Sequence, residues 1–206
     1  MSTELLAAQM GAGKFSIHIE RACIRWGIVD GRDKCRFLAQ CYVESQGFKR
    51  VEENLRYTTA KRLLDVFGSR NGLNATIAAN LIKQGPMAIA NFVYGGEWGR
   101  KNLGNTHPGD GWNFRGQGLI QTTGRDNVRA ASVGMFGDHR LLSNPFWLQS
   151  DEGAAESAAY YWYSRKCNGI EDIRTLTRKI NAGLLELDKR VQQTNRAYGL
   201  LELMKS

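Results

Sequence analysis

The chain has 206 residues, enough for one well-buried domain, with room for two lobes but not for two independent domains. Its 42% hydrophobic content, with 8 Phe, 7 Tyr and 5 Trp, is that of a globular protein, and no apolar run reaches the length that stable membrane insertion needs. A formal net charge of +8 draws the protein to polyanions, but the basic residues are scattered and carry no nucleic-acid signature, so nucleic acid is not an expected partner.

Taken in order, residues 3 to 10 read as a short peripheral helix capped by Ser2 or Thr3 and stopped by Gly11 and Gly13. This N-terminus has neither a basic region nor an apolar core of signal-peptide length, so the protein is expected to stay inside the cell that makes it. Residues 16 to 26 form a second helix with Ile19, Ala22, Cys23 and Trp26. Cys23, Cys35, Cys41 and Cys167 show no C-x-x-C pairing and no nearby His, so neither a metal nor any other cofactor is expected. Cys23 and Cys41 fall on apolar faces as core residues, while the disulfide state of the four is left open.

The stretch from Phe37 to Tyr57 organises the rest. Phe37, Leu38, Cys41 and Tyr42 make one apolar helical face, with Asp33 as the expected N-cap. Glu44 sits in the last turn, where the negative end of the helix dipole and the apolar neighbours disfavour a second negative charge, so it is expected to hold a proton. Gly47 can supply the left-handed residue that ends the helix, with Phe48 folding back onto it. Glu52, Glu53 and Asn54 follow in a polar segment, where one carboxylate is expected to stay solvated and ionised. A glutamate ending a helix is most often a surface residue, and Glu52-Glu53 most often a solvated corner. Two carboxylates in unlike environments are also what glycosidic hydrolysis requires, one donating a proton while the other is charged.

Thr58, Asn74 and Pro86 then start three scaffold helices that end near Gly68, Gly85 and Tyr94. From Gly95 to Gly118, eight glycines and Pro108 in 24 residues forbid a long helix. Trp98, Trp112 and Phe114 interleave there with Asn102, Asn105, Asp110, Asn113 and Arg115, a mix that suits pyranose rings and hydroxyls as well as it suits a core-covering loop. Leu119 to Thr122 read as a short buried strand or extended turn. A short helix is expected from Gly124 through Val128, and longer ones over 150 to 166, over 170 to 181 and from about Leu187 to Met204.

Four motifs stand in order along this chain: Val43-Glu44-Ser45-Gln46-Gly47-Phe48, Glu52-Glu53-Asn54, the run from Asn113 to Arg125, and Ile180-Asn181-Ala182-Gly183. Together they resemble glycoside hydrolase family 19, and more narrowly its small lysozyme-type members that phages use as endolysins. The resemblance spans roughly residues 33 to 196. It implies a mainly α, lysozyme-like, two-lobed helical domain over residues 1–206, with the long glycine and aromatic loop lining a cleft and no separate wall-binding domain.

The resemblance further implies that Glu44 is the general acid and Glu53 the general base of an inverting mechanism, with Glu52 the rival for the second role. Thr123 matches the hydroxyl residue that helps hold the water, and Gln121, Asn127 and Asn181 match sugar-binding residues. Arg190 matches the basic residue that pairs with the carboxylates, while Trp112 is the aromatic candidate for a sugar contact. The chain departs from the family at Phe114, Gln117, Thr122 and Ala182, where a Tyr, an Arg, an aliphatic residue and a Gly are usual. The function so implied is hydrolysis of the β-1,4 glycan strand of peptidoglycan by a monomeric endolysin that waits in the host cytoplasm for a holin. A chitinase on the same scaffold, a lytic transglycosylase and a non-catalytic basic binding module are the alternatives.

Overall fold

The computed structural model describes residues 2–205. It is mainly α, with thirteen α-helices and no strand among the described residues, and its chain divides into two compact units. Unit 1 comprises Met1–Val51, Gly118–Gln121 and Trp147–Ser206; unit 2 comprises Glu52–Gln117 and Thr122–Phe146.

Unit 1 is built around α3 (Gly31–Glu44), which follows α1 (Thr3–Gln9) and α2 (Ser16–Arg25). Cys35, Phe37, Leu38 and Cys41 of α3 are fully buried, and α11 (Asp151–Ser164), α12 (Ile173–Ile180) and α13 (Leu187–Leu203) pack around them. Trp162 of α11 is also fully buried and meets Phe37 edge-on, with ring centroids 5.5 Å apart. Its indole N–H donates to Asn168 at 2.7 Å, which removes the cost of a buried donor. Instead of lying at the periphery, α1 sends Leu6 and Ala7, with Met10 just beyond it, into the same core. All four cysteines are free thiols and buried.

The N-cap of α3 is Asp30, whose carboxylate accepts from the backbone N–H groups of Arg32 and Asp33. Asp33, expected there, turns inward instead. It accepts from the Gly169 N–H at 3.0 Å and from Arg36 at 2.7 Å, a long-range tie that local sequence does not display. At the other end Gly47 takes a left-handed φ of 78° and its N–H returns to the Tyr42 carbonyl, while Phe48 is buried against Tyr42, as expected of this turn.

Unit 2 buries Leu55, Leu63, Phe67, Leu73, Leu81, Ile89, Val93 and Tyr94 between α4 (Ala60–Phe67), α5 (Ala75–Gln84) and α6 (Pro86–Val93). Thr59, one residue beyond the expected Thr58, caps α4; Asn74 caps α5, and Pro86 opens α6. The glycine-rich segment is not loop throughout. It holds α7 (Gly96–Leu103) and the single turn α8 (Asp110–Asn113), both short, as its glycines require. Packing of α8 on α6 needs a glycine, since a Cβ on Gly111 would lie 2.4 Å from the Ala90 carbonyl oxygen. Asp110 ties this segment down by accepting from the N–H groups of Thr106 and His107 and from both sides of the Arg125 guanidinium. The remaining helices of unit 2 are α9 (Arg125–Phe136), longer than expected, and α10 (Arg140–Ser143).

Candidate active site

Each unit presents one of the two predicted carboxylates. In unit 1, Glu44 is the last residue of α3, and its Oε1 accepts from Nη2 of Arg190 at 2.6 Å. Arg190 projects from α13 and is 2% exposed. Its other donors reach the Gln40 side chain and, at 3.0 Å, the Leu185 carbonyl. Gln40, fully buried one turn before Glu44, in turn donates to the Thr177 hydroxyl at 3.3 Å. The guanidinium is thus locked by three acceptors in fixed directions, a geometry that a lysine could not reproduce. Oε1 of Glu44 is held, and Oε2 makes no hydrogen bond among the described residues.

In unit 2, the Tyr94 hydroxyl donates to Oε1 of Glu53 at 2.7 Å, and the Gly116 N–H points at Oε2 from 3.4 Å. One carboxylate of this segment was expected to be solvated and ionised. Glu53 is half-buried, and burial pushes its carboxyl above the usual carboxylate range, against the pull of the Tyr94 and Gly116 hydrogen bonds and of the Arg70 and Arg115 cations. Tyr94, 8% exposed, is raised in turn by its own burial and by the neighbouring carboxylate. Glu52, the rival, is mostly exposed and is paired with Arg115 at 2.6 Å.

A small ladder of backbone bridges places Thr123. Glu52 pairs antiparallel with Gln117, and Gln117 pairs antiparallel with Thr122. The Glu53 N–H donates to the Gly116 carbonyl at 2.8 Å, beside the first of these pairs. Thr123 follows the second, and the Gly124 N–H donates to the Phe114 carbonyl at 2.7 Å, one residue out of that register, so the pairing ends at Thr122. Asn127 is exposed, and its amide donates to the Thr123 carbonyl at 2.7 Å, bracing the turn into α9.

The other predicted residues divide between the units. Gln121 stands in unit 1, in a tight turn with φ of 54°, its amide donating to the Gly118 carbonyl. Leu119 and Ile120 are buried in that turn, which forms no strand. Asn181, also in unit 1, is the C-cap of α12, with its carbonyl accepting from the Leu184 N–H. Trp112 in unit 2 carries the Arg115 guanidinium 3.8 Å above its ring, which occupies one face of the indole. Phe114 is 1% exposed beneath Arg125, so the hydroxyl that a tyrosine would bring has no solvent to meet. Gln117 is fully buried and its amide donates to the Asn113 carbonyl.

Sequence reasoning missed Tyr94, Gln40 and Arg70. Only for Gln40 was there a local signal, its place one turn before Glu44 on the same helix face.

No family model matches the chain. A glycosyl hydrolase family 19 domain-containing protein of Haemophilus influenzae is 33% identical to it over 179 residues, 85% of this chain and 81% of that protein. At that identity, over that share of both chains, the protein belongs to glycosyl hydrolase family 19.

Proposed function

We propose that this glycosyl hydrolase cuts the β-1,4 glycan strand of bacterial peptidoglycan by inversion, with Glu44 as general acid and Glu53 as general base. The observation that carries the reading is the half-buried Glu53 carboxyl, held by the Tyr94 hydroxyl at 2.7 Å and faced by the Gly116 N–H. On this reading Thr123, which follows the Gln117–Thr122 pair, offers its hydroxyl to the water that Glu53 activates. A base works best with a pKa drawn toward the working pH, and burial moves Glu53 in that direction. On Glu44, Arg190 holds Oε1 and leaves Oε2 as the oxygen that carries the proton to the leaving group. Gln121, Asn127, Asn181 and Trp112 are the proposed sugar contacts. The net charge of +8 favours an anionic wall polymer over neutral chitin. On the same reading the protein is a monomeric endolysin, held in the host cytoplasm until a holin opens the way to the wall.

Mass spectrometry of muropeptides after digestion tests the reaction. New reducing ends are expected; anhydro ends would mean a transglycosylase, and an undigested wall that still binds the protein would mean a binding module. Glu44→Gln should lower clearance of permeabilised cells at least ~10²-fold with the fold retained.

A further inference from the structure

Arg70 is a cation that faces Glu53 without touching it. It lies half-buried in unit 2, on the short turn Arg70–Gly72, and among the described residues its side chain has neither an ion pair nor a hydrogen bond. Its guanidinium carbon instead lies 3.7 Å from the centre of the Trp98 ring, 5.3 Å from Phe67 and 5.9 Å from Tyr94. Stacking of that kind satisfies the face of a guanidinium and leaves its in-plane N–H donors unused. Donors kept partly from water without an acceptor are costly, and the cost is removed when a planar anion arrives.

The arrangement is held rigidly. Asn71 takes a left-handed φ of 53° and its amide donates to the Phe92 and Gly95 carbonyls at 2.6 and 2.9 Å, while its oxygen accepts from the Trp98 N–H at 3.1 Å. One side chain therefore binds the turn that carries Arg70 to the start of α7 that carries Trp98. The cluster adjoins the proposed base, because the Tyr94 ring beneath Arg70 is the one whose hydroxyl holds Glu53. The charged and titratable groups facing Glu53 are Arg70, Arg115, Tyr94 and Tyr57. Of the two cations, Arg115 is already paired with Glu52.

We infer that Arg70 is an anion-binding residue beside Glu53, taking a carboxylate borne by the peptide-substituted glycan strand and so favouring acidic wall glycan over neutral chitin. This rests on the reading of Glu53 as part of a glycan-cleaving site. The in-plane donors match a carboxylate two-to-two, which a lysine in the same place would not do.

The test compares Arg70→Gln and Arg70→Lys with the wild type on two soluble substrates: teichoic-acid-free glycan strands with free peptide carboxylates, and chitooligosaccharides. The fall in kcat/KM for Arg70→Gln should be about tenfold larger on the acidic strand than on the neutral one, with Arg70→Lys between. Amidating the peptide carboxylates should abolish that difference. Affinity of the Glu44→Gln variant for the same strands, measured with and without the added Arg70→Gln substitution, gives a second readout that needs no turnover. Equal losses on both substrates, or a difference that survives amidation, would overturn the inference while leaving hydrolysis intact. A wild type that cleaves neither substrate but binds the acidic strand through Arg70 would instead overturn the proposed reaction alone.

Discussion

The Tyr94 hydroxyl donates to Oε1 of Glu53 at 2.7 Å, joining the C-terminal end of α6 to the polar turn that leaves Val51. This bond opposes burial, which is the main force raising the carboxyl. Tyr94→Phe keeps the ring packed on Phe67 but removes the opposing donor, so the Glu53 carboxyl should rise further. A base that protonates at higher pH loses activity at higher pH. The acid limb of kcat/KM should therefore move to higher pH. A profile of unchanged shape with only a lower plateau would show that Tyr94 acts through packing alone.

Glu53 also ties stability to pH. Its folded-state pKa is raised above the unfolded value, so it aids folding while protonated, and that aid is lost as pH rises through the folded pKa. Glu53→Gln does not ionise and should melt higher than the wild type at neutral pH, by about 2–4 °C per 1 kcal/mol regained. The gap should close as pH falls below the ordinary carboxylate range. Calorimetry across that range checks it, and a gap that widens in acid would reverse the assigned direction.

The cost of losing Arg190 should be larger and of another kind. Its guanidinium serves Glu44, Gln40 and the Leu185 carbonyl from a buried position. Arg190→Lys keeps the charge but cannot reach all three acceptors. We expect a loss of kcat of at least ~10-fold with a destabilisation of about 1–3 kcal/mol, from the acceptors left unpaired. Arg190→Ala, which leaves Glu44 without a counter-charge, should cost about 3–5 kcal/mol. Chemical denaturation together with turnover separates the two effects.

Local chemistry made much of the scaffold legible. Asn74 and Pro86 announce helix starts because a cap and a fixed φ act within a single turn. Asp33 misled for the opposite reason: its partner, the Gly169 N–H, lies 136 residues away, and nothing nearby distinguishes it from Asp30. The partners of the carboxylates are equally remote. Arg190, which pairs with Glu44, lies 146 residues on. Tyr94 and the Gly116 backbone, which enclose Glu53, lie 41 and 63 residues on. Residue types and motif order can be read from the chain; which carboxylate meets a cation and which meets a phenol depends on the tertiary fold.

The proposed stereochemical outcome rests on Glu53 acting on a water that the Thr123 hydroxyl helps to hold. A nucleophilic carboxylate would attack the sugar directly and would have no use for a hydroxyl beside it, whereas a base must hold a water in one orientation, and two flanking groups do so better than one. Thr123→Val should therefore lower kcat about 10-fold or more while changing KM little, since the water, and not the sugar, loses a partner. The β-linked substrate should first release the α-anomer, observable by proton NMR of fresh product before mutarotation. An initial β-anomer would make Glu53 a nucleophile, and Thr123→Val at wild-type kcat would remove Thr123 from the holding of the water.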